Sequence, residues 1–340
     1  MKKIILILFC LFMVTGCFDY RELNDINIIN SIGVDYVDDE YVVYFETIKN
    51  KKSESAANIS TSIVKAQDKM FAKAINKAIN NAGKSVYLKH VKLLIIGEDL
   101  AEKGISDVVD YLVREISLST SFFTIVAKEP KKILKSSNNG DAISNIIVDT
   151  IKSNMDADTL DNIDIIASNL YNDKLDIALP YVKISGKNVD LENIGYFKKD
   201  KMMGQYNNRI FNFLMLKSKN IEFENNGNIL SIYDKKITYK VEKDKIIINV
   251  NGLGKVKKIN EDIDLKKQES YEKLEKEINK AIYEEIKEFI EVTKNDESDV
   301  LGFRNLYYKK YQKNINNVNY EINTNIKVSK NGAIYEVIHD

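Results

Sequence analysis

Apolar positions recur along this chain in two rhythms, one helical and one alternating or continuous, and together they lay out most of its elements. Residues 26–34 and 41–45 are dense in β-branched and aromatic side chains around the acidic Asp38-Asp39-Glu40, the pattern of a hairpin. Met70, Phe71, Ala74, Ile75, Ala78, Ile79 and Ala82 then fall at helical spacing, with Gly83 placed to close the helix. Between His90 and Gly97 the chain reads Val-Lys-Leu-Leu-Ile-Ile, too apolar for a half-exposed strand, which predicts a central strand covered on both faces. A helix is predicted over 105–116, striped by Ile105, Val108, Val109, Leu112, Val113 and Ile116, and a strand over 122–127. Residues 128–139, with Pro130, read as a connector. Helices follow at 142–152 and 160–171, then a strand over 176–185 whose Pro180 argues for an edge position.

A new unit begins near Asn193. Residues 194–198 and 201–204 form a hairpin about Lys199-Asp200, followed by a short helix around 209–216. Strands at 229–233, 236–241 and 245–250 suggest an antiparallel meander. The longest element runs over 265–293, lined by Tyr271, Leu274, Ile278, Ala281, Ile282, Ile286, Phe289 and Ile290, with Glu269/Lys273 and Glu272/Lys276 on its other side. At 1.5 Å per residue it spans about 43 Å. A helix capped after Asp299 and a strand pair, 320–328 and 333–338, around Asn331-Gly332 complete the chain. Irregular mixing of strands and helices predicts an α+β fold of three small sheet-plus-helix domains, the C-terminal meander packed by the long helix. The boundaries are an N-terminal region over 26–188, divisible into two subdomains, and a C-terminal region over 193–340.

The first 25 residues carry a different signal. Lys2 and Lys3 precede an apolar run from Ile4 to Val14 that is shorter than the roughly 17–25 residues a membrane span needs. This is the layout of a secretory signal peptide. Gly16 directly before Cys17 has the form of a lipobox, which predicts cleavage after residue 16 and diacylation of the Cys17 thiol. Two acyl chains would anchor the protein stably where one would be marginal. Residues 17–25 then serve as a tether; its free part, 18–25, reaches at most about 26–29 Å.

Composition narrows the chemistry. The 50 basic and 50 acidic side chains cancel, and loss of the leader's lysines leaves a slight acidic excess, which argues against nucleic acid as a partner. Cys10 leaves with the leader and Cys17 is modified, so the mature chain relies on packing without a disulfide. There are two histidines, His90 and His339, and no nucleophile-elbow, zinc-protease or phosphate-loop motif. Gly252-x-Gly254 reads as a turn, and His90, opening a buried strand, as a structural imidazole. Asp156, Asp158 and Asp161 lack the glycine and terminal glutamate of a calcium loop and read as helix-capping residues. The chain is therefore expected to be non-enzymatic, with no cofactor or metal.

Several stretches resemble the Ger(x)C family, the C subunits of spore germinant receptors. The first is Gly16-Cys17-Phe18-Asp19-Tyr20-Arg21-Glu22-Leu23-Asn24, with Phe18 where the family usually has Trp. Further ones are Ile32-Gly33-Val34-Asp35, the segments from Phe71-Ala72-Lys73-Ala74 through His90–Gly97 to Asp110-Tyr111-Leu112-Val113-Arg114, and Gly195-Tyr196-Phe197-Lys198 with Met203-Gly204. Near the end stand Asp299-Val300-Leu301-Gly302-Phe303, Lys310-Tyr311 and Gly332. The resemblance spans nearly the whole chain in order. It implies a non-catalytic lipoprotein on the outer face of the inner spore membrane, assembled with A-type and B-type integral membrane subunits and needed for germination by nutrients. It also implies a three-domain α+β architecture. Two other classes compete: a solute-binding lipoprotein of a transporter, which would favour two doubly wound lobes, and an envelope hydrolase, which would need a pocket of clustered carboxylates or a histidine pair.

Overall fold

The computed structural model describes residues 26–329 apart from 52–57, 84, 116, 137–141, 155–161, 173–174, 186–187, 216, 219, 244, 261–262 and 316–317. Strands β1 (Ile26–Val37) and β2 (Glu40–Lys51) form the expected hairpin, turning through Asp38 and Asp39 at φ 52 and 62°. β3 (Asn58–Asp68), unread in the sequence, pairs with β2 at the sheet's edge, where its polar Ser, Thr, Lys and Gln positions suit an edge exposed to water. The short β4 (Ser85–Tyr87) runs parallel to the start of β1. β5 (Leu93–Gly97) lies parallel between β1 and β6 (Phe123–Ala127). β7 (Ala178–Ser185), β8 (Asn188–Lys198) and β9 (Lys201–Asn207) complete a sheet of order β3-β2-β1-β5-β6-β7-β8-β9, β4 lying off that path.

The continuous apolar run in β5 is explained by two cores. Leu94 and Ile96 face helices α1 (Phe71–Asn81), α2 (Glu98–Lys103), α3 (Ser106–Arg114) and α6 (Ile163–Tyr171). Leu93 and Ile95 face α4 (Pro130–Lys135) and α5 (Ile143–Asn154). All four are fully buried, each contributing about 1.5–3 kcal/mol of transfer free energy.

Four expectations on this half change. The helix over 105–116 starts at Ser106, and the unread α2 precedes it, the two separated by Gly104 at φ 135°. The connector after residue 128 contains α4, because Pro130 occupies the first helical turn, where a missing N–H costs nothing. Met70 is 54% exposed, at the N-cap outside the buried stripe of α1. Pro180 lies inside the sheet, not at its edge: β7 is flanked by β6 and β8, and the ladder to β6 begins only at Tyr181, just past the proline.

The second sheet has order β10-β11-β12-β13, from β10 (Ile221–Asn225), β11 (Asn228–Glu242), β12 (Lys245–Lys258) and β13 (Asn319–Val328). Its first three strands are antiparallel, as expected. The two strands predicted over 229–241 are one, bent by an irregularity between Tyr233 and Lys236, where Asp234 takes φ 47°. β13 runs parallel to β12; its predicted hairpin partner lies outside the described residues. Helix α8 (Gln268–Asn295), 28 residues and about 42 Å long, lays Tyr271, Leu274, Ile278, Ile282, Ile286, Phe289 and Ile290 on this sheet. It also satisfies backbone groups of β13. Asn279 exchanges two hydrogen bonds with the Ile326 backbone (2.7 and 2.9 Å), and Glu275 accepts from the Val328 amide (2.9 Å).

The third core, around α8 and the second sheet, also takes in α7 (Asn208–Leu214) and draws Ala178, Ile194 and Tyr196 from the larger sheet. The described residues thus form two sheets where three sheet-plus-helix units were expected: two of the three cores lie on opposite faces of the larger sheet, and hairpin β8–β9 continues that sheet. The last helix, α9 (Phe303–Tyr311), packs near β11. None of the helices among the described residues is long and apolar enough to cross a membrane.

Candidate functional site

Of the residues singled out by sequence, Cys17, His339, Asp156, Asp158 and Asp161 lie outside the described residues. His90 does not open the buried strand: it is exposed in a turn, with β5 beginning at Leu93. Gly252 and Gly254 are not a turn but lie within β12. A Cβ on Gly252 would stand 3.2 Å from Ile326 and 3.3 Å from Ile232, so the missing side chains let neighbouring strands' isoleucines close over the backbone.

The best-organised polar site lies where the segment before α9 meets the end of the larger sheet; sequence singled out its Asp299 and Gly302 but not Asp176 or Arg304. Asp176, only 5% exposed just ahead of β7, accepts hydrogen bonds from the amides of Lys199 and Asp299, both at 2.7 Å. It also pairs with the Arg304 guanidinium. Asp299 accepts from the amides of Phe303 (2.8 Å) and Arg304 (2.7 Å) and from Arg304 Nε (3.3 Å), so Arg304 lies between two carboxylates. Ser298 donates to the Phe197 carbonyl, Tyr196 donates to Asp296, and Lys198 pairs with Glu297. Gly302 takes φ 71°, and a Cβ there would reach 2.9 Å from Leu175. The motif Asp299-Val300-Leu301-Gly302-Phe303 is thereby accounted for: the acid satisfies the first amides of α9, and the glycine makes the left-handed entry. A cleft of about 590 Å³ opens beside this cluster, lined by Lys198, Thr293, Lys294, Ser298 and Arg304 among others. Burial raises the Asp299 carboxyl to about 6 despite the amides and the guanidinium that favour its ionised form. The chemistry on view is that of a clamp, with carboxylate oxygens committed to backbone N–H groups and to one arginine.

A second polar cluster sits at the C-terminal ends of the parallel strands. The Asp35 carboxylate accepts from the Tyr36 amide (2.9 Å) and packs over Gly97, where an added Cβ would fall 2.2 Å from Asp35 Oδ1. Nearby, Gln205 donates to Glu98 (2.6 Å), linking β9 to α2. Burial, reinforced by Asp99 and Glu129 and opposed by the Tyr36 amide, pushes the Asp35 carboxyl up to about 6. The folded state therefore holds this proton more tightly than the unfolded chain, and ionisation costs stability. That cost is absent below about pH 4 and complete above about pH 6. Asp35→Asn, which keeps the acceptor for the Tyr36 amide, should stabilise the protein by about 1 kcal/mol at pH 7.5, a figure discounted for solvent screening. The gain should vanish at pH 4. Urea titrations of both proteins at the two pH values check this, and the difference isolates Asp35 from Asp299, which titrates in the same window.

Other motif residues are likewise explained by packing. A Cβ on Gly195 would lie 2.7 Å from Met202 Sδ, and one on Gly204 2.7 Å from the Tyr196 hydroxyl, so the two glycines let hairpin β8–β9 close on its own side chains. The buried Glu46 is another residue missed by sequence. Its carboxylate accepts from Ser31 (2.8 Å), Ser144 (2.6 Å) and the Ile143 amide (3.1 Å), capping α5 from a distant strand. No local pattern marks Asp176 or Glu46, since their partners are 97 or more residues away, apart from Lys199 and Ser31.

A profile described as the spore germination protein N-terminal domain matches residues 19–184. One described as spore germination B3/GerAC-like, C-terminal, matches residues 192–333. The chain is 29% identical over 136 residues to spore germination protein KC of Bacillus subtilis strain 168, covering 37% of this chain and 33% of that protein. It is 21% identical over 158 residues to spore germination protein A3 of the same strain, covering 45% and 42% respectively. These matches span less than half the length of either relative. The fold is similar to that in the crystal structure of the GerBC protein, with a TM-score of 0.55 at 12% identity, covering 91% of this chain and 99% of that one. The two profiles follow one another from residue 19 to 333, so the chain belongs to the Ger(x)C family of spore germination proteins.

Proposed function

We propose that this protein is a non-catalytic lipoprotein subunit of a nutrient germinant receptor complex, held at the outer face of the spore inner membrane through acylated Cys17. Its partners would be A-type and B-type integral membrane subunits. The observation that carries the reading is the pairing of both family regions, in order, with Gly16-Cys17 immediately ahead of them. Two acyl chains give durable attachment, and confinement to the membrane raises the effective concentration of the folded body beside integral-membrane partners. The clamp at Asp176, Asp299 and Arg304 is compatible with such a role, because its carboxylate oxygens are committed to backbone N–H groups and to one arginine that hold the segment before α9 to the larger sheet. Cys17→Ala tests the proposal. The variant is expected to move from the membrane to the soluble fraction of spores and to slow nutrient germination. Full membrane retention with normal germination would overturn it.

A further inference from the structure

The β3 edge of the larger sheet is covered along only part of its length. β3 pairs with β2 alone, in unbroken register from Asn58 to Asp68. Thr47 Oγ1 donates to the Ser62 carbonyl (3.1 Å), so the even-numbered residues of β3 turn their backbone groups to β2 and the odd-numbered ones turn theirs outward. Two outward carbonyls are taken by α1: Asn81 donates to that of Lys65 (3.1 Å) and Lys77 to that of Gln67 (3.3 Å). The edge of β13 is covered in the same way, by Asn279 and Glu275 of α8. α1 is about 16 Å long and β3 about 36 Å, so the cover ends near Lys65. Among the described residues, no second strand and no side chain meets the outward backbone groups of Ile59 or Ile63. This stretch also carries no charge, proline or bulge, the devices that blunt an edge strand.

The uncovered stretch is a palindrome: Ile59-Ser60-Thr61-Ser62-Ile63 reads the same in both directions. We propose that β3 pairs antiparallel with β3 of a second copy of this chain, about a two-fold axis at Thr61. Residue 59 then stands opposite residue 63 of the other copy, 60 opposite 62, and 61 opposite 61, so that every residue meets its own kind. The outward N–H and C=O groups put each 59–63 pair at a hydrogen-bonded position, where the two residues exchange both bonds. An axis perpendicular to the sheet keeps the helix-covered faces of the two copies on the same sides, and the two sheets join into one. A two-fold interface must be self-complementary, and a palindromic strand meets that condition. A strand from a different protein would need no such symmetry. The pairing needs no acyl anchor, so it stands apart from the reading of Cys17.

The test uses the full-length chain in mild detergent, with sedimentation velocity across a wide range of concentration. A concentration-dependent monomer–dimer equilibrium is expected. Thr61→Lys sets two ammonium groups opposite each other at the axis and should weaken association about tenfold or more. Ile63→Pro removes an outward N–H that β2 does not use and should weaken it as well. Urea midpoints of both variants check that the fold persists. Crosslinking fixes the register. In a hydrogen-bonded pair the two copies of residue 61 have Cα atoms about 5.5 Å apart, within disulfide range, so Thr61→Cys should give a linked dimer on mild oxidation. Gln67→Cys, about 40 Å from its counterpart, should not exceed the background set by Cys10 and Cys17 in the parent chain. A chain that stays monomeric throughout and gives no crosslink above the parent would overturn the proposal. So would a dimer indifferent to Thr61→Lys, or one linked equally through positions 61 and 67.

Discussion

Replacing Asp176 with alanine should cost the fold about 3–5 kcal/mol, the range found when one partner of a buried ion pair is removed. The loss is large because three donors converge on this carboxylate: the Lys199 amide, the Asp299 amide and the Arg304 guanidinium. Each would be left short of an acceptor where little water reaches, a penalty that falls on the donors as well as on the lost pair. Arg304→Ala should be comparably damaging for the opposite reason, since Asp176 and Asp299 would then face each other without the cation between them. The two substitutions share one network and should not add. Urea unfolding of the two single variants and the double variant would measure this, with a coupling energy of at least about 1 kcal/mol expected. Additive losses, or an Asp176→Ala variant as stable as the parent, would show that the cluster is not what holds the segment before α9 to the larger sheet.

Phe289→Ala should cost a similar amount, about 3–5 kcal/mol, by a mechanism without charge. Phe289 is fully buried on α8, its ring 5.1 Å from that of Tyr206 on β9 and 6.1 Å from that of Phe211 on α7. Two helices and a strand of the larger sheet meet on this one side chain, so truncation leaves a cavity that no single element can close by shifting. Phe289→Leu, which keeps most of the volume, should lose clearly less. Denaturant midpoints of the two variants provide the check; equal losses would mean that ring contacts, not cavity volume, set the cost.

What could be read from the residues was whatever buried itself by a local rule. β5 was legible because a strand covered on both faces must be apolar throughout, and α8 because a helix laid on a sheet shows its stripe for many turns. Hairpin β8–β9 announced itself through Lys199-Asp200. β3 escaped because an edge strand needs no continuous apolar face, and α4 because proline was taken as a break when it was a beginning. Of the polar clamp, Asp299 had a local signature as the cap of the helix after it; Asp176 and Arg304 had none. Asp176 resembles any acid before a strand until residue 304 is brought to it by the fold.

The strand β8 has one further implication. It begins at Asn188, among the residues between the two family matches, pairs with β7 from there to Tyr196, and pairs with β9 from Asn193 to Lys198. Among the described residues, the seam between the halves of the sequence thus includes a strand in ladder with the N-terminal half. Expressing either half alone would bare a row of unpaired amides and carbonyls. A displacement imposed on one half would be handed to the other through backbone, much as a beam carries load across a joint that was never cut.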